Sequence, residues 1–286
     1  MTKCPYCGNS GDLYFAINSR SYYRCLGCDL IYQILQESHG HVLATYREDY
    51  FERFSVDQTE GSRNIIFSHA LDLIEARKKR GRLLDVGTGC GFFLVTAHKR
   101  RWEVKGVEPS IQSVEVARKE NGLDVFHGTL MEYEGSGQFD VITFINVLDH
   151  SPTPWLEIGR ASKLLRPGGL IYLRFPNGSL HTRIYRTAHR HGLSKSLRRF
   201  LVFHINSFTH RYIRRLLHDQ GFAQTTVVNS PPSEGDPHYL FPTPSLAYCV
   251  KRFLHTIAVT AQALSKGKIL LGTSLDVTAI NNISQY

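Results

Sequence analysis

The sequence lacks a hydrophobic run long enough to cross a bilayer, which takes about 18 consecutive apolar residues. This absence excludes a transmembrane helix made of one continuous apolar segment. The amino-terminal stretch MTKCPYCGNS also lacks the apolar core of a secretory signal peptide. We therefore expect a cytoplasmic protein.

Acidic residues are absent between His181 and His218, a segment that carries nine Arg or Lys and six His. Its charge equals the net charge of +9 of the whole chain. Such a patch is typical of a protein with an acidic partner, whether a phosphorylated substrate, an anionic membrane surface or a nucleic acid. It is also typical of a solvated helical face, and the sequence leaves these alternatives open. We expect a basic helical insertion at about 178–215.

Cysteine is sparse, with six residues in the chain, and four of them stand in two pairs, Cys4 with Cys7 and Cys25 with Cys28. In a cytoplasmic protein, pairs separated by two residues favour a metal over disulfides. Four thiolates complete a tetrahedral site with no position for water, so a zinc ion here would be structural. Iron is the alternative occupant of the same ligand set. We predict a small zinc-ribbon-like module over residues 1–35.

The rest of the chain is predicted to divide into a helical linker over 36–80 and one α/β domain over 81–286. After Gly81, continuous apolar strands alternate with helical segments. This alternation predicts a mostly parallel sheet with helices on both faces.

An amphipathic helix is predicted at about 245–265, where apolar residues recur at helical spacing. Lys251, Arg252, His255, Lys266 and Lys268 surround this stripe. Two interpretations stay open. Either the stripe packs on the sheet and the charges are solvated, or the helix lies at the interface of an anionic membrane and the protein is peripheral at its inner face.

The segment LLDVGTGCGFF, residues 83–93, combines an apolar strand with three glycines at alternate positions. A dinucleotide fingerprint, G-x-G-x-x-G, needs its third glycine at position 92, where this chain has Phe92. No Lys-Ser or Lys-Thr follows, which excludes a phosphate-binding P-loop. The turn is therefore predicted to receive a neutral or cationic nucleoside, and a tight structural turn is the alternative. Glu108 ends the next strand about 20 residues downstream, where a carboxylate can accept both ribose hydroxyls.

Four motifs in this order and spacing, LLDVGTGCG, GVEPS, FDVITFINVLDH and KLLRPGGLIYLRFPN, resemble those of the class I S-adenosylmethionine-dependent methyltransferases. The resemblance covers about residues 80–230 and the last strand. It implies a Rossmann-like fold with a seven-stranded sheet that ends in an antiparallel hairpin. The four-cysteine head and the ending SLDVTAI are similar to a subgroup that includes sugar C-methyltransferases and relatives of ubiquinone-type O-methyltransferases.

The resemblance implies a set of residues that bind S-adenosylmethionine. These are Asp85, Gly87, Thr88, Gly89, Glu108, Pro109, Thr129, Leu130, Asn146 and Val147. Thr129 departs from the acid that the family often has near the adenine, so a hydroxyl or the Leu130 N–H would take that contact. Arg63, which precedes the domain, is a further candidate as the partner of the methionine carboxylate.

Two histidines are candidates for a general base, which assists methylation of a hydroxyl or an enolisable carbon. His150 follows the fourth strand of the domain, and His204 lies before a helix that starts near Thr209. The alternative for each is a structural histidine that bonds the backbone. Asp149 is expected to orient an imidazole or to cap the next helix.

We expect an enzyme that methylates oxygen or carbon of a small-molecule, nucleotide-sugar or lipid-linked acceptor. An RNA methyltransferase and a non-catalytic cofactor-binding module are the alternatives. The segment NVLDHSP lacks the Asn/Asp-Pro-Pro-aromatic motif of amino-methyltransferases that act on bases within nucleic acid. This departure disfavours that chemistry, although the basic segment is able to bind phosphates.

Overall fold

The computed structural model describes residues 1–17, 20–34, 63–134, 139–234 and 243–282. The strands are β1 (Thr2–Lys3), β2 (Ser10–Ile17), β3 (Arg20–Cys25), β4 (Ile31–Gln33), β5 (Arg82–Val86), β6 (Glu103–Glu108), β7 (Val125–His127), β8 (Phe139–Ile145), β9 (Leu165–Pro176), β10 (Asn206–Ser207), β11 (Phe222–Asn229) and β12 (Ser274–Asn281). The helices are α1 (Asn64–Glu75), α2 (Phe92–Lys99), α3 (Ile111–Lys119), α4 (Pro154–Leu164), α5 (Gly178–Arg190), α6 (Ser194–Leu197), α7 (His210–Asp219) and α8 (Pro244–Leu264). Of the predicted helical linker, only the part from Arg63 on lies within the described residues, where it forms α1.

The larger sheet has seven strands in the order β11-β12-β9-β8-β5-β6-β7. Strands β5 to β9 pair in parallel, whereas β12 runs antiparallel to both β9 and β11. The prediction of a mostly parallel sheet with an antiparallel hairpin at its carboxyl end is therefore confirmed. Because the parallel strands all end at one edge, the segments that follow β5, β6 and β8 meet there.

Side chains along each central strand alternate between two hydrophobic cores, as the pleat of a strand requires. On β9, Leu173 and Phe175 pack in the core beside α4 and α7. Leu170 and Tyr172 of the same strand pack in the core beside α1, α2 and α3. Apolar residues on both faces explain why these strands read as continuous hydrophobic runs.

The amino-terminal residues form a separate antiparallel sheet in the order β1-β2-β3-β4-β10. Its last strand comes from the distant basic segment, since Asn206 pairs with Tyr32. The ring of Tyr6 lies 5.5 Å from that of Tyr212 on α7 and 5.8 Å from that of Trp155 on α4. The module therefore packs directly against the larger domain. The boundary predicted near residue 35 lies in the range 35–62, outside the described residues.

The basic segment between His181 and His218 uses several of its cations and aromatic rings inside the fold. The Arg186 guanidinium lies 4.1 Å from the ring centroid of Tyr14, and Arg215 donates to the Gly27 carbonyl. The rings of Tyr185 and Phe208 are buried. These contacts fasten the segment to the amino-terminal module.

Helix α8 occupies the predicted range, but the expectation that its apolar stripe packs on the sheet is wrong. The stripe residues are exposed: Leu246, Phe253, Leu254, Ile257 and Leu264. The buried positions are Ala247 and Ala258. Asn229 of β11 explains the difference, because its side chain donates to the Ala258 carbonyl and to Gln262, each across 2.8–2.9 Å. These bonds draw the small residues of the helix, not the large ones, onto the sheet. Within the described residues, no helix combines the length and hydropathy needed to cross a membrane.

Candidate functional site

The glycine turn after β5 has the backbone geometry that only glycine adopts readily. Gly87, Gly89 and Gly91 have φ angles of 68°, 56° and 83°, in the left-handed region where a side chain is strained. A Cβ atom on Gly87 would also lie 2.6 Å from Cγ2 of Val147, which follows β8. The turn therefore brings bare backbone against the end of the neighbouring strand.

Glu108, at the end of β6, is buried beside this turn. Its Oε2 accepts from the Gly89 N–H at 2.8 Å, and its Oε1 accepts from the Ser110 N–H at 2.9 Å. Burial raises the pKa of Glu108 to about 7, although both N–H bonds lower it. Each carboxylate oxygen keeps a second lone pair for a ligand hydroxyl.

A cleft of about 790 Å³, including its open mouth, lies along this edge of the sheet. Eight of the predicted residues line it: Gly87, Glu108, Pro109, Thr129, Leu130, Asn146, Val147 and His150. The remaining lining residues are Val86, Val107, Gly128, Met131, Ser151, Pro152 and Glu157. Glu157 was not among the predicted residues, although the sequence marks it as a candidate because it falls in the first turn of the helix that follows β8.

Four other predicted cofactor residues lie beside the cleft without lining it. Asp85 is buried and accepts from the Thr143 hydroxyl at 2.6 Å. Thr88 is buried in the turn, and the Gly89 N–H is directed to Glu108. Arg63 immediately precedes α1. Their contacts with a cofactor stay predictions.

Asp149, His150 and His204 form a compact cluster at the end of β8. Nδ1 of His204 is hydrogen-bonded to Oδ2 of Asp149, and Nε2 of His150 lies 3.7 Å from the same oxygen. The two imidazole rings are 3.7 Å apart between centroids. Sequence analysis selected both histidines, and the structure brings them together. Their ligand atoms and the carboxylate lie within 4.8 Å of one another.

Electrostatics assign different properties to the members of this cluster. Burial lowers the pKa of His150 to about 4, against the opposing effect of Asp149. Burial would raise the pKa of Asp149, but His150 and the hydrogen bond from His204 outweigh it and hold that pKa below its usual value. At neutral pH, His150 is therefore a neutral imidazole and Asp149 a carboxylate.

A buried polar network extends from the cleft to the far side of the sheet. Arg174 of β9 donates to Oδ1 of Asn146 at 2.6 Å and to the Ser230 hydroxyl at 2.9 Å. Its Nε lies 4.0 Å from Asp276 of β12, which also accepts from the Tyr172 hydroxyl. The network holds Asn146, which has a φ of 57°, at the wall of the cleft.

A second, more polar cleft lies beyond this network, between α1, α8 and residues 231–234. His69 lines it, and Nε2 of His69 lies 3.3 Å from Oδ2 of the buried Asp276. Sequence analysis missed this pair. The signal was an acid within an otherwise apolar strand, since Asp276 interrupts the last strand of the domain.

The four paired cysteines converge as predicted. Their sulfur atoms lie within 4.8 Å of one another, with Cys4 and Cys28 separated by 3.7 Å and Cys7 and Cys25 by 3.4 Å. The backbone N–H of Gly27 is 3.3 Å from the Cys25 sulfur. The hydrogen bond from Cys28 lowers the pKa of Cys4 to about 5, although burial opposes it. A cluster of four cysteine sulfur atoms with N–H donors directed at sulfur is typical of a tetrahedral metal site.

The sheet order, the glycine turn and the strand-end acid together define a Rossmann-like methyltransferase fold. A family described as a methyltransferase domain matches residues 61–227. This match covers more than half of the chain, and the protein belongs to this family of class I S-adenosylmethionine-dependent methyltransferases.

Curated relatives match a shorter part of the chain. The ubiquinone biosynthesis O-methyltransferase of Aromatoleum aromaticum is 31% identical over 98 residues, which are 32% of this chain and 42% of that protein. The protein of the same name from Actinobacillus pleuropneumoniae is 33% identical over 110 residues, or 35% of this chain and 47% of that protein. The match therefore spans less than half the length of these relatives.

Solved structures share the fold at low sequence identity. The magnesium protoporphyrin IX methyltransferase of Synechocystis PCC 6803 has a TM-score of 0.56 at 14% identity, covering 85% of this chain and all of that one. The 1,6-didemethyltoxoflavin-N1-methyltransferase of Burkholderia thailandensis has a TM-score of 0.55 at 14% identity, covering 95% of this chain and all of that one. These similarities support the architecture and leave the acceptor undefined.

Proposed function

We propose that this protein transfers a methyl group from S-adenosylmethionine to a hydroxyl or enolisable carbon of a small-molecule acceptor. One observation carries the proposal. The cleft suited to the cofactor and the cluster of Asp149, His150 and His204 lie at the end of the same strand, β8. A methyl donor and a proton acceptor would thus be held next to each other.

The cleft residues fit S-adenosylmethionine. Gly87 brings bare backbone to the wall of the cleft, and Glu108 offers carboxylate lone pairs for ribose hydroxyls. Leu130 and Met131 add an apolar wall suited to a nucleoside base. The bound cofactor supplies a methyl group already activated by its sulfonium. The chain then has to orient the acceptor, exclude water and remove a proton.

His204 is the residue best suited to remove that proton. Because Asp149 is a carboxylate, the hydrogen bond between them places the His204 proton on Nδ1. Nε2 of His204 is then a proton acceptor, in the manner of an aspartate-oriented histidine base. His150, whose pKa is about 4, is too weak a base at neutral pH. We assign His150 to packing against His204 at the wall of the cleft.

The proposed acceptors are small molecules, including nucleotide-sugars and lipid-linked compounds. The relatives named as ubiquinone biosynthesis O-methyltransferases support methylation of oxygen. RNA is a less suitable acceptor, because Tyr185 and Phe208 of the basic segment are buried and present no stacking surface. The base cluster argues against a module that binds cofactor without turnover.

A structural zinc ion held by Cys4, Cys7, Cys25 and Cys28 completes the proposal. The convergence of the four sulfur atoms supports it. Four protein ligands leave no position for a substrate, so this ion would stabilise the module and take no part in methyl transfer. Its role is to hold the sheet that supports β10 and, through the same segment, His204.

The test is a screen with S-adenosylmethionine carrying a labelled methyl group. Phenols and catechols, nucleotide-sugars, lipid-linked glycans and tRNA are offered separately. We expect label on a small-molecule or lipid-linked acceptor, and transfer only to tRNA would overturn the acceptor assignment. Calorimetry with S-adenosylhomocysteine tests the cofactor site, where Glu108→Ala should weaken binding by about tenfold or more through loss of charge-assisted bonds. Equal affinity in wild type and Glu108→Ala would refute the ribose assignment.

A further inference from the structure

The outer face of α8 and the residues after it form an unusually apolar surface. Among the described residues, nine of the twenty-one exposed large hydrophobic side chains fall between 246 and 271. They are Leu246, Tyr248, Phe253, Leu254, Ile257, Val259, Leu264, Ile269 and Leu271. Phe253 is 67% exposed and Leu264 is 82% exposed. A surface of this kind marks an interaction site more often than a solvated helix.

In the part of the chain that the structure describes, the fold leaves this face exposed. The helix is attached to β11, the edge strand of the seven-stranded sheet, through Asn229 and Gln262, with Ala258 buried between helix and sheet. Burying only small residues leaves the large ones directed away from the sheet. The apolar face is thus held in place by the fold and available for a partner.

The charges of the same segment select the kind of partner. Residues 243–272 contain Lys251, Arg252, Lys266 and Lys268 and no Asp or Glu. Arg252 and Tyr248 line the second cleft, where the guanidinium lies 5.5 Å from the ring centroid, whereas Lys266 and Lys268 follow the helix between Leu264 and Ile269 and so lie next to the apolar face. Cations flanking an apolar stripe complement a surface that is anionic outside and apolar beneath, as a membrane with acidic headgroups is.

A second copy of the chain is a poorer partner for this face. In a twofold dimer built on α8, the same patch meets itself. Such a dimer would bring together two segments that each carry Lys266 and Lys268 and no acidic residue. An anionic lipid surface covers the apolar face without that repulsion.

We propose that α8 and residues 265–271 dock the protein onto anionic membranes, with the helix lying in the plane of the interface. The apolar residues enter the headgroup–acyl boundary, and Lys266 and Lys268 contact acidic headgroups. This function is separate from methyl transfer, because the residues of this surface are not among those that line the cleft at the end of β8.

The experiment is co-sedimentation of the full chain with vesicles of phosphatidylcholine, alone or mixed with phosphatidylglycerol. We expect binding to the mixed vesicles, little binding to phosphatidylcholine alone, and weakening by salt. Phe253→Glu with Leu254→Glu should reduce the partition coefficient by about a hundredfold, because two apolar contacts are lost and the two new carboxylates repel the anionic lipid. Lys266→Glu with Lys268→Glu should reduce it by about tenfold.

The matched control is Leu26→Glu, which alters a residue of the amino-terminal module that is 68% exposed. It should bind vesicles as the wild type does. Circular dichroism and binding of S-adenosylhomocysteine verify that every variant is folded. Absence of wild-type binding to anionic vesicles, or unchanged binding of Phe253→Glu with Leu254→Glu, would overturn the proposal. So would a dimer in sedimentation equilibrium that this double variant abolishes, since the face would then belong to a second copy.

Discussion

His204 donates a hydrogen bond from Nδ1 to Oδ2 of Asp149, a residue 55 positions earlier in the chain. Asp149 follows β8 of the large sheet, whereas His204 precedes β10 of the amino-terminal sheet. The bond therefore connects the segment after β8, which borders the candidate cofactor cleft, to the segment that completes the amino-terminal sheet. It explains how a histidine distant in sequence reaches the candidate active site.

The first prediction is that His204→Ala lowers kcat by about 10² to 10⁴, the usual contribution of a positioned general base. Affinity for S-adenosylhomocysteine should stay unchanged, because His204 does not line the cofactor cleft. Added imidazole should restore part of the activity by replacing the missing base. The measurement is steady-state methyl transfer to the acceptor that the screen identifies.

The control for His204 is His218→Ala, because the His218 side chain is 87% exposed. This variant should keep wild-type kcat. Asp149→Asn serves as the positioning variant. It should lower kcat, and added imidazole should not restore its activity. If His204→Ala retains full kcat, another residue is the base.

The second prediction concerns Gly87→Ala, which introduces a Cβ atom 2.6 Å from Cγ2 of Val147. Affinity for S-adenosylhomocysteine should fall at least about tenfold, because displacing Val147 reshapes the cleft. Gly122→Ala is a matched control, since Gly122 has a φ of 64° and no atom within 4 Å of its added Cβ. It should cost only the left-handed strain of about 1–2 kcal/mol in unfolding free energy. Partial recovery of affinity in Gly87→Ala with Val147→Ala would identify the clash as the cause, and equal affinity of both single variants would contradict it.

The third prediction is one zinc ion per chain, measured by elemental analysis of the purified protein. Cys4→Ser should lose the metal and lower the Tm of the whole protein, because Cys4, Leu30 and Tyr32 belong to the same hydrophobic core as Tyr212. Cys249→Ser is the control, because Cys249 is exposed and outside the cluster. Protein that is folded and free of metal would refute the structural zinc.

The sheet and the convergence of predicted residues on one cleft could be anticipated because their signals are local. An apolar strand, alternate glycines and an acid at the next strand end each occupy a short stretch of sequence. The parallel topology then brings those stretches to one edge. The pairs of cysteines carry a similar local signal, and their convergence needed only two tight turns.

The features that sequence analysis missed depend on pairing between distant residues. Nothing near Asn206 indicates that it pairs with Tyr32, and Asp276 gains its significance only beside His69 and Arg174. Of the two interpretations of α8 that the sequence left open, the one in which its apolar stripe packs on the sheet is wrong. Hydrophobic periodicity identifies an apolar stripe, but Asn229 determines which side of the helix meets the sheet.

The last prediction follows from two buried acids at the glycine turn. Burial raises the pKa of Asp85 to about 7, against the hydrogen bond from Thr143, and raises that of Glu108 to about 7. In the unfolded chain both ionise near pH 4. Between about pH 4 and 7, the folded state therefore keeps protons that the unfolded state has lost. The free energy of unfolding without cofactor should fall as pH rises through this window and then level off.

Asp85→Asn tests this linkage because the amide cannot ionise and its oxygen can still accept from Thr143. The difference in Tm between pH 5 and pH 8 should be smaller in Asp85→Asn than in the wild type, and Asp12→Asn, at an exposed position of β2, should behave as the wild type. A cationic sulfonium favours the ionised acids, so affinity for S-adenosylmethionine should increase from pH 6 to pH 8. The gain is up to about tenfold per pH unit for each proton released. Isothermal calorimetry at several pH values measures this gain and the accompanying proton release. A pH-independent affinity in the wild type, or an unaltered pH profile of Tm in Asp85→Asn, would show that these carboxylates ionise normally in the folded protein.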